Sequence, residues 1–418
     1  MKARIGRISP KDLIKARDGA KAAADRFRPV TAEYSANHAL EIVQIDHTLV
    51  DAIIVDERHR QPIGRPWLSL AIDVASRCVA GFYLTLEHPS AISVAMTMRH
   101  AVLPKENWLA SLGIAAPWSS SGLPDLIHMD NAREFHGRAL RRGCEQYGIG
   151  QHFRPIRTPH FGGHIERLIG TTMGAVHLLP GTTFSNVAEK ADYRSEATAV
   201  MTLAELEQWL ALEISGGYHA RIHSALKRPP ELAWQEMVAR RPCALRYPPD
   251  AEQFLYDFLP FEHRIVRRDG IRLFNLHYWD PVLTALAGLC EEAMTVKYDP
   301  RNLSRVFLEA PDGSHWTIPY RDLRRPAITL FEHRQALRAM AERGRNSVNE
   351  QLIFDTVAAQ RALIADATQR SKSARKSAQR IVNALTAPLP LMGEAEHSVT
   401  YGQDVEILSL PPYEVEER

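Results

Sequence analysis

Between Glu41 and Phe153 the chain alternates short apolar runs with turn-forming residues, and this texture limits the fold more than any other feature. Ile42, Val43 and Ile45, then Ile53, Ile54 and Val55, make β-branched runs too short for core helices. The runs from Leu68 to Val74 and from Val79 to Leu84 follow at hairpin separation. A helical stretch from Ala91 to Leu103 stops at Pro104, and a Pro/Ser/Gly-rich loop from Pro117 to Pro124 leads into a strand from Leu126 to Met129. A helix from Gly137 to Tyr147, a strand from Gly150 to Phe153 and a long helix from about His164 complete the set. Three strands followed by alternating helix and strand predict a mixed α/β sheet with flanking helices.

The second half changes character. A helix from Leu203 to Glu213, the segment Lys227-Arg228-Pro229-Pro230 and a helix from Glu231 to Val238 close the first pattern. From Phe258 onward short strands are expected at Arg264–Val266, Ile271–Phe274, Thr295–Tyr298, Arg305–Leu308 and Trp316–Ile318, with Asp-Gly turns at Asp269 and Asp312. That spacing predicts a small β-barrel. Residues 331–384 are rich in Ala, Arg and Gln and read as helix. At roughly 150 residues per domain, 418 residues suggest several domains. The expected divisions are a basic arm over 1–38, an α/β core over 39–245, a DNA-binding barrel over 246–326, a helical segment over 327–387 and a tail over 388–418.

Charge separates the two ends. Residues 1–38 carry nine Lys and Arg against four Asp and Glu, whereas residues 381–418 carry seven acids against Arg418 alone. Such opposite ends suit different partners, and the acidic tail is expected to be disordered by itself. Cys78, Cys144, Cys243 and Cys290 form no CxxC pair, which argues against a zinc finger and a disulfide framework and fits a reducing cytosol. No window approaches the roughly 18 uninterrupted apolar residues of a membrane span, and the first thirty residues hold no apolar signal core. The expected setting is cytoplasmic, with no membrane partner.

Three acids stand where chemistry gathers. Asp46 ends the first strand, Asp130 follows the strand Leu126–Met129, and Glu166 lies in the first turn of the helix after Gly162-Gly163-His164. Acids at strand ends and a helix start can converge on one edge of an α/β sheet. Oxygen ligands without a thiolate suit Mg²⁺ or Mn²⁺, and two such ions about 4 Å apart support in-line phosphoryl displacement. Spacing alone is weak, because Asp46 could pair with an arginine, Asp130 could cap a turn and Glu166 could be an ordinary first-turn acid. The histidines His47, His128, His160 and His164 flank these acids without cysteine partners, so zinc is not expected.

The surrounding residues carry more. Ile45-Asp46-His47-Thr48, Met129-Asp130-Asn131-Ala132-Arg133-Glu134-Phe135 and Pro159-His160-Phe161-Gly162-Gly163-His164-Ile165-Glu166-Arg167 together resemble the DDE transposase and retroviral integrase superfamily. Thirty-five residues separate Asp130 from Glu166, as in that superfamily's D,D-35-E pattern. Tyr218 to Leu226, then Pro229 to Trp234, resemble the segment closing such cores; Gly270 to Trp279 and Val296 to Val306 resemble the small barrel of Mu-type transposases. The resemblance implies a ribonuclease-H-like core, a Mu-type barrel and a helical C-terminal segment. It implies that Asp46, Asp130 and Glu166 hold two Mg²⁺ or Mn²⁺ ions, that DNA is cleaved at transposon ends, and that the freed 3′-hydroxyl is joined to target DNA. Glu134 falls off the family's triad. Alternatives within the same fold are a hydrolytic ribonuclease-H-like nuclease and an idle DNA-binding or scaffold relative.

DNA contacts are expected from Arg154, Arg157 and Arg167 near the acids, and from Arg264, Arg267, Arg268, Arg272, Lys297, Arg301 and Arg305 in the barrel. The interleaved aromatics Phe274, Tyr278, Trp279, Tyr298 and Phe307 are expected mainly in the barrel core. Mu-type transposases usually carry helix-turn-helix domains ahead of the catalytic core. Forty-one residues precede Ile42 here, which suits one basic helical arm and not a full end-recognition module. The resemblance also implies a homo-oligomer on DNA, such as a tetramer, in the prokaryotic nucleoid, and an AAA+ ATPase target selector bound through the tail.

Overall fold

The computed structural model describes residues 9–27, 35–154, 163–183, 195–285, 293–310, 313, 315–342, 350–367 and 372–386. By contact the chain divides into a unit Met1–Ala387 and a unit Pro388–Arg418, and the second lies outside the described residues. The basic arm forms α1 (Pro10–Phe27), with the Ser9 hydroxyl accepting from the Asp12 amide at 3.1 Å as an N-cap. Gly19 interrupts it at φ 91°, so the arm is two short helical pieces end to end.

Strands β1 (Ile42–Leu49), β2 (Ile54–Val55), β3 (Pro62–Gly64), β4 (Trp67–Asp73) and β5 (Val79–Thr85) come first. Helices α2 (Ala91–Val102) and α3 (Glu106–Ser111), strand β6 (Leu126–Met129), helix α4 (Arg138–Gln146), strand β7 (Gly150–Phe153) and helix α5 (Gly163–Val176) follow. The main sheet runs β5-β4-β1-β6-β7. β1 and β5 flank β4 antiparallel, whereas β6 pairs parallel with both β1 and β7. This is the ribonuclease-H-like mixed sheet expected from the sequence, and β2 with β3 forms a separate small hairpin. Helices α6 (Ser195–Thr198), α7 (Leu203–Leu212), α8 (Pro230–Ala239) and α9 (Ala251–Asp257) complete the layer. Sequence periodicity had not marked α3 or α9.

Period-2 alternation in the strands builds two cores. Val43, Ile45 and Ala71 face α2, α4, Trp234 of α8 and Phe254 of α9. Leu68, Leu70 and Ile72 face Ile165, Leu168 and Met173 of α5 and Leu206 and Leu210 of α7. Each fully buried large aliphatic side chain contributes about 1.5–3 kcal/mol, so α5, and with it Glu166, is anchored by its buried stripe.

The second region holds β8 (Phe261–Arg264), β9 (Ile271–Leu273), β10 (Leu276–Tyr278), β11 (Met294–Asp299), β12 (Asn302–Glu309) and β13 (His315–Pro319). They form a four-stranded antiparallel sheet, β13-β12-β11-β8, and a β9/β10 hairpin. Among the described residues no barrel closes, which corrects the barrel expectation. The hairpin is joined to the end of β13 through a single Tyr278–Tyr320 bridge, while its side chains share one core with the sheet. The turn at Gly270 adopts φ 103°, and a Cβ there would lie 2.1 Å from the Tyr278 carbonyl oxygen, so only glycine fits. The strand expected at Arg264–Val266 is β8, three residues earlier.

The helical segment is three helices, α10 (Leu330–Glu342), α11 (Glu350–Ala367) and α12 (Lys372–Thr386). The last returns to the first region. Gln379 Oε1 accepts from the Glu57 amide at 2.9 Å, and Arg380 pairs with Glu87 at 3.2 Å.

Candidate active site

Asp46 sits two residues beyond Gln44 on β1, Asp130 immediately follows β6, and Glu166 lies in the first turn of α5. Arg154, just past β7, links two of these acids. Its guanidinium is 3.3 Å from an Asp46 carboxylate oxygen and 3.8 Å from a Glu166 oxygen. Asp46 Oδ1 also accepts from the His47 amide at 2.8 Å, and Asp130 Oδ1 accepts from the Ala132 amide at 2.9 Å. Burial raises the Asp46 pKa; Arg154 and the His47 amide oppose that rise, and the nearby charge of Asp130 adds to it. The three carboxylates therefore share one sheet edge, and two feel each other's repulsion. Glu166 is the most open, with its side chain 52% exposed.

His47 is partly buried, its Nδ1 2.7 Å from Ser69 Oγ and its ring stacked 4.9 Å from Phe135. Burial lowers its pKa to about 4, against the pull of Asp130, so the ring is neutral near pH 7. His128 is likewise lowered to about 4 by burial, with Arg154 and His152 adding to the effect. His164 is buried in α5, and His160 lies outside the described residues.

The residue that sequence reading missed is Gln44. It is wholly buried and joins all three elements bearing the acids. Its side-chain N–H donates to His128 Nδ1 at 3.1 Å, two residues before Asp130, and its Oε1 accepts from the Ile165 amide at 3.2 Å, one residue before Glu166. That second bond satisfies one of the free N–H groups of the first helical turn. A polar residue inside an otherwise apolar strand was the available signal, because a buried amide needs partners.

The expected DNA-contacting cations divide sharply. Arg167, Arg267, Arg268 and Arg272 are exposed, and Arg272 pairs with Asp269 at 2.6 Å. Arg264 and Arg305 are partly buried, with Arg264 3.6 Å from Glu262. Arg157 lies outside the described residues. Lys297 and Arg301 are corrected: Lys297 is 1% exposed and ion-paired with Asp257 at 2.5 Å, and Arg301 is buried against Asp299 at 2.6 Å. Cations enclosed in this way cannot reach a phosphate. Arg154 faces the acids. Tyr278, Tyr298 and Phe307 are core residues as expected, while Trp279 is 40% exposed.

Among the described residues, Cys78, His219 and Glu231 bring a thiol, an imidazole and a carboxylate within 4.8 Å of one another. His219 Nε2 accepts from the Val79 amide at 2.9 Å, and burial lowers its pKa to about 3. The neutral ring therefore carries its proton on Nδ1, which makes that nitrogen a donor and not a metal ligand. The all-oxygen donor set of Asp46, Asp130 and Glu166 is the better fit to a divalent cation, because positive charge there relieves the repulsion between Asp46 and Asp130.

Comparison with known proteins points to transposases. Residues 44–181 match the family model of the TnsB C-terminal domain, and residues 257–316 match that of the Mu transposase C-terminal domain. The chain is a relative of the Mu-type transposases. The transposase for transposon Tn552 of Staphylococcus aureus is 26% identical over 309 residues, covering 70% of this chain and 58% of that protein. The transposon Tn7 transposition protein TnsB of Escherichia coli is 26% identical over 299 residues, covering 65% of this chain and 42% of that protein. The chain thus spans about half the length of these relatives. Solved structures that match include the catalytic core domain of BIV integrase, at 14% identity over 47% of this chain and 94% of that one, with a TM-score of 0.27. The HTLV-2 integrase catalytic core domain in complex with magnesium matches at 13% identity over 48% and 99%, with a TM-score of 0.28. No helix among the described residues is long and apolar enough to cross a membrane.

Proposed function

We propose that this chain is a metal-dependent DNA transposase that cleaves at transposon ends and joins the resulting 3′-hydroxyl to target DNA. The observation that carries the reading is the Arg154 bridge between Asp46 and Glu166 beside Asp130, which gathers three acids from distant parts of the chain at one sheet edge. In this reading Asp46, Asp130 and Glu166 hold two Mg²⁺ or Mn²⁺ ions, which would activate the attacking oxygen and stabilise the leaving oxygen. Burial around Asp46 limits water at that side, while the exposed Glu166 leaves a side open to a DNA strand. Gln44 holds β6 and the start of α5 against β1, so the carboxylates are positioned before substrate arrives. Neutral His47 packs against Phe135 and stays out of proton transfer.

The partners in this reading are transposon-end DNA, target DNA and further copies of the chain on DNA. An AAA+ ATPase target selector would bind residues 388–418, whose acids would repel DNA and whose apolar residues Ile407, Leu408, Leu410 and Tyr413 would anchor a protein surface. The test is strand transfer with pre-cleaved transposon ends and Mg²⁺. Asp46→Asn, Asp130→Asn and Glu166→Gln should each abolish joining with DNA binding retained, since each removes a charge at little cost in volume. Hydrolysis without joining would favour a nuclease instead, and full strand transfer by any of the three variants would sink the assignment.

A further inference from the structure

Arg154 touches all three elements that carry the acids. Its amide donates to the Met129 carbonyl oxygen at 2.8 Å, and its own carbonyl oxygen accepts from Asn131 Nδ2 at 2.6 Å. Met129 and Asn131 stand immediately before and after Asp130, so the backbone of Arg154 is tied to one acid while its side chain reaches the other two. One arm of the guanidinium serves each of them. Nη2 lies 3.3 Å from Asp46 Oδ2, and Nη1 lies 3.8 Å from Glu166 Oε1. The Arg154 side chain is 12% exposed and that of Asp46 17%, so water and salt screen their contact less than they would a surface pair. The sequence placed Arg154 among cations for DNA phosphates, yet the structure directs its charge to carboxylates.

A divalent cation held by the same two acids needs the same space. Mg²⁺ binds about 2.1 Å from its oxygen ligands, so an ion shared by Asp46 and Glu166 lies between the oxygens that the guanidinium spans. Two cations cannot occupy that gap together, by volume or by charge. The divalent ion brings twice the charge of the guanidinium at shorter range, and its binding costs the Arg154 contacts. We propose that Arg154 is the resident counter-charge of the acid cluster and that a divalent cation binds by displacing it from Asp46 and Glu166. The proposal rests on the reading of the three acids as metal ligands, and it adds the residue that sets how tightly they take a metal. The backbone ties to both neighbours of Asp130 keep the displaced side chain within reach, so loss of the ion restores the pairing.

The experiment titrates the full chain with Mn²⁺ alone at about pH 8, where carboxylates are ionised, and follows ion binding by electron paramagnetic resonance. Wild type, Arg154→Gln, Arg154→Lys and Asp46→Asn are compared. Arg154→Gln loses the competing charge and should bind Mn²⁺ about tenfold tighter, a difference of about 1.4 kcal/mol. Arg154→Lys keeps the charge but has no second arm, and its affinity should fall between the two. Mn²⁺ should also raise the melting midpoint of Arg154→Gln by more than it raises that of wild type, because stabilisation by a ligand grows with its affinity. If neither arginine variant binds Mn²⁺ more tightly than wild type while Asp46→Asn binds it far more weakly, the counter-charge proposal is overturned and the metal site stands. If Asp46→Asn binds Mn²⁺ as wild type does, the acids are not the ligands, and the proposal falls together with the reading beneath it.

Discussion

Replacing Lys297 with methionine should destabilise the protein by about 3 kcal/mol, because it breaks an ion pair that is closed off from water. Lys297 Nζ lies 2.5 Å from Asp257 Oδ1, and both side chains are 1% exposed. Removing one partner of such a pair leaves an uncompensated buried charge and typically costs about 3–5 kcal/mol. The lower end applies here because Asp257 keeps two neutral donors, Gln146 Nε2 and Tyr147 Oη, each at 2.8 Å. Asp257→Leu should cost nearer to about 5 kcal/mol, since among the described residues the other acid beside Lys297 is Glu309 at 3.9 Å, already held by Arg142 at 2.6 Å. The double variant should recover most of the loss, because two apolar groups leave no buried charge behind. Asp257 ends α9 on the first region and Lys297 lies in β11 of the second, so the pair fixes how the second sheet meets α4 and α9. Urea unfolding of the four proteins gives the coupling directly. If Lys297→Met fell within about 0.5 kcal/mol of wild type, or if the two single losses simply added, the buried-pair reasoning would be refuted.

Gln44→Met keeps the side chain's volume but loses both hydrogen bonds, so joining should drop at least tenfold while circular dichroism stays native; wild-type joining rates would remove Gln44 as the tie between the acid-bearing elements. Arg154→Gln removes the positive charge that opposes the burial-driven rise in the Asp46 pKa. The Asp46 carboxylate would then protonate at higher pH, and the acid limb of the joining rate should move to higher pH; movement the other way would contradict the bridge. Gly81→Ala should destabilise by about 1–3 kcal/mol through overpacking, since a Cβ there would sit 2.5 Å from the Ala101 backbone nitrogen of α2. Thermal melting checks it, and an unchanged midpoint would mean that α2 can move away from the sheet freely.

Local sequence carried much of the architecture. Alternation along Leu68–Val74 and the β-branched runs near Ile42 and Ile54 marked the first sheet, because side-chain period 2 follows from strand geometry alone. Asp130 and Glu166 were visible because a strand end and a helix start are local features, whereas Asp46, expected at the end of the first strand, lies inside β1, whose pairing with β4 carries on to Leu49. Tertiary structure decided the rest. Lys297 and Arg301 read as surface cations in a strand-and-turn pattern, but their partners Asp257 and Asp299 enclose them, and burial depends on neighbours that no local period encodes. The bonds from Gln44 to His128 and Ile165 and from Arg154 to Asp46 span between 84 and 121 residues of sequence. The expected barrel became an open sheet and a hairpin because ring closure depends on the pairing of edge strands, and strand propensity says nothing about which edges meet. Whether a charge meets water or another side chain was settled only when the chain had folded around it.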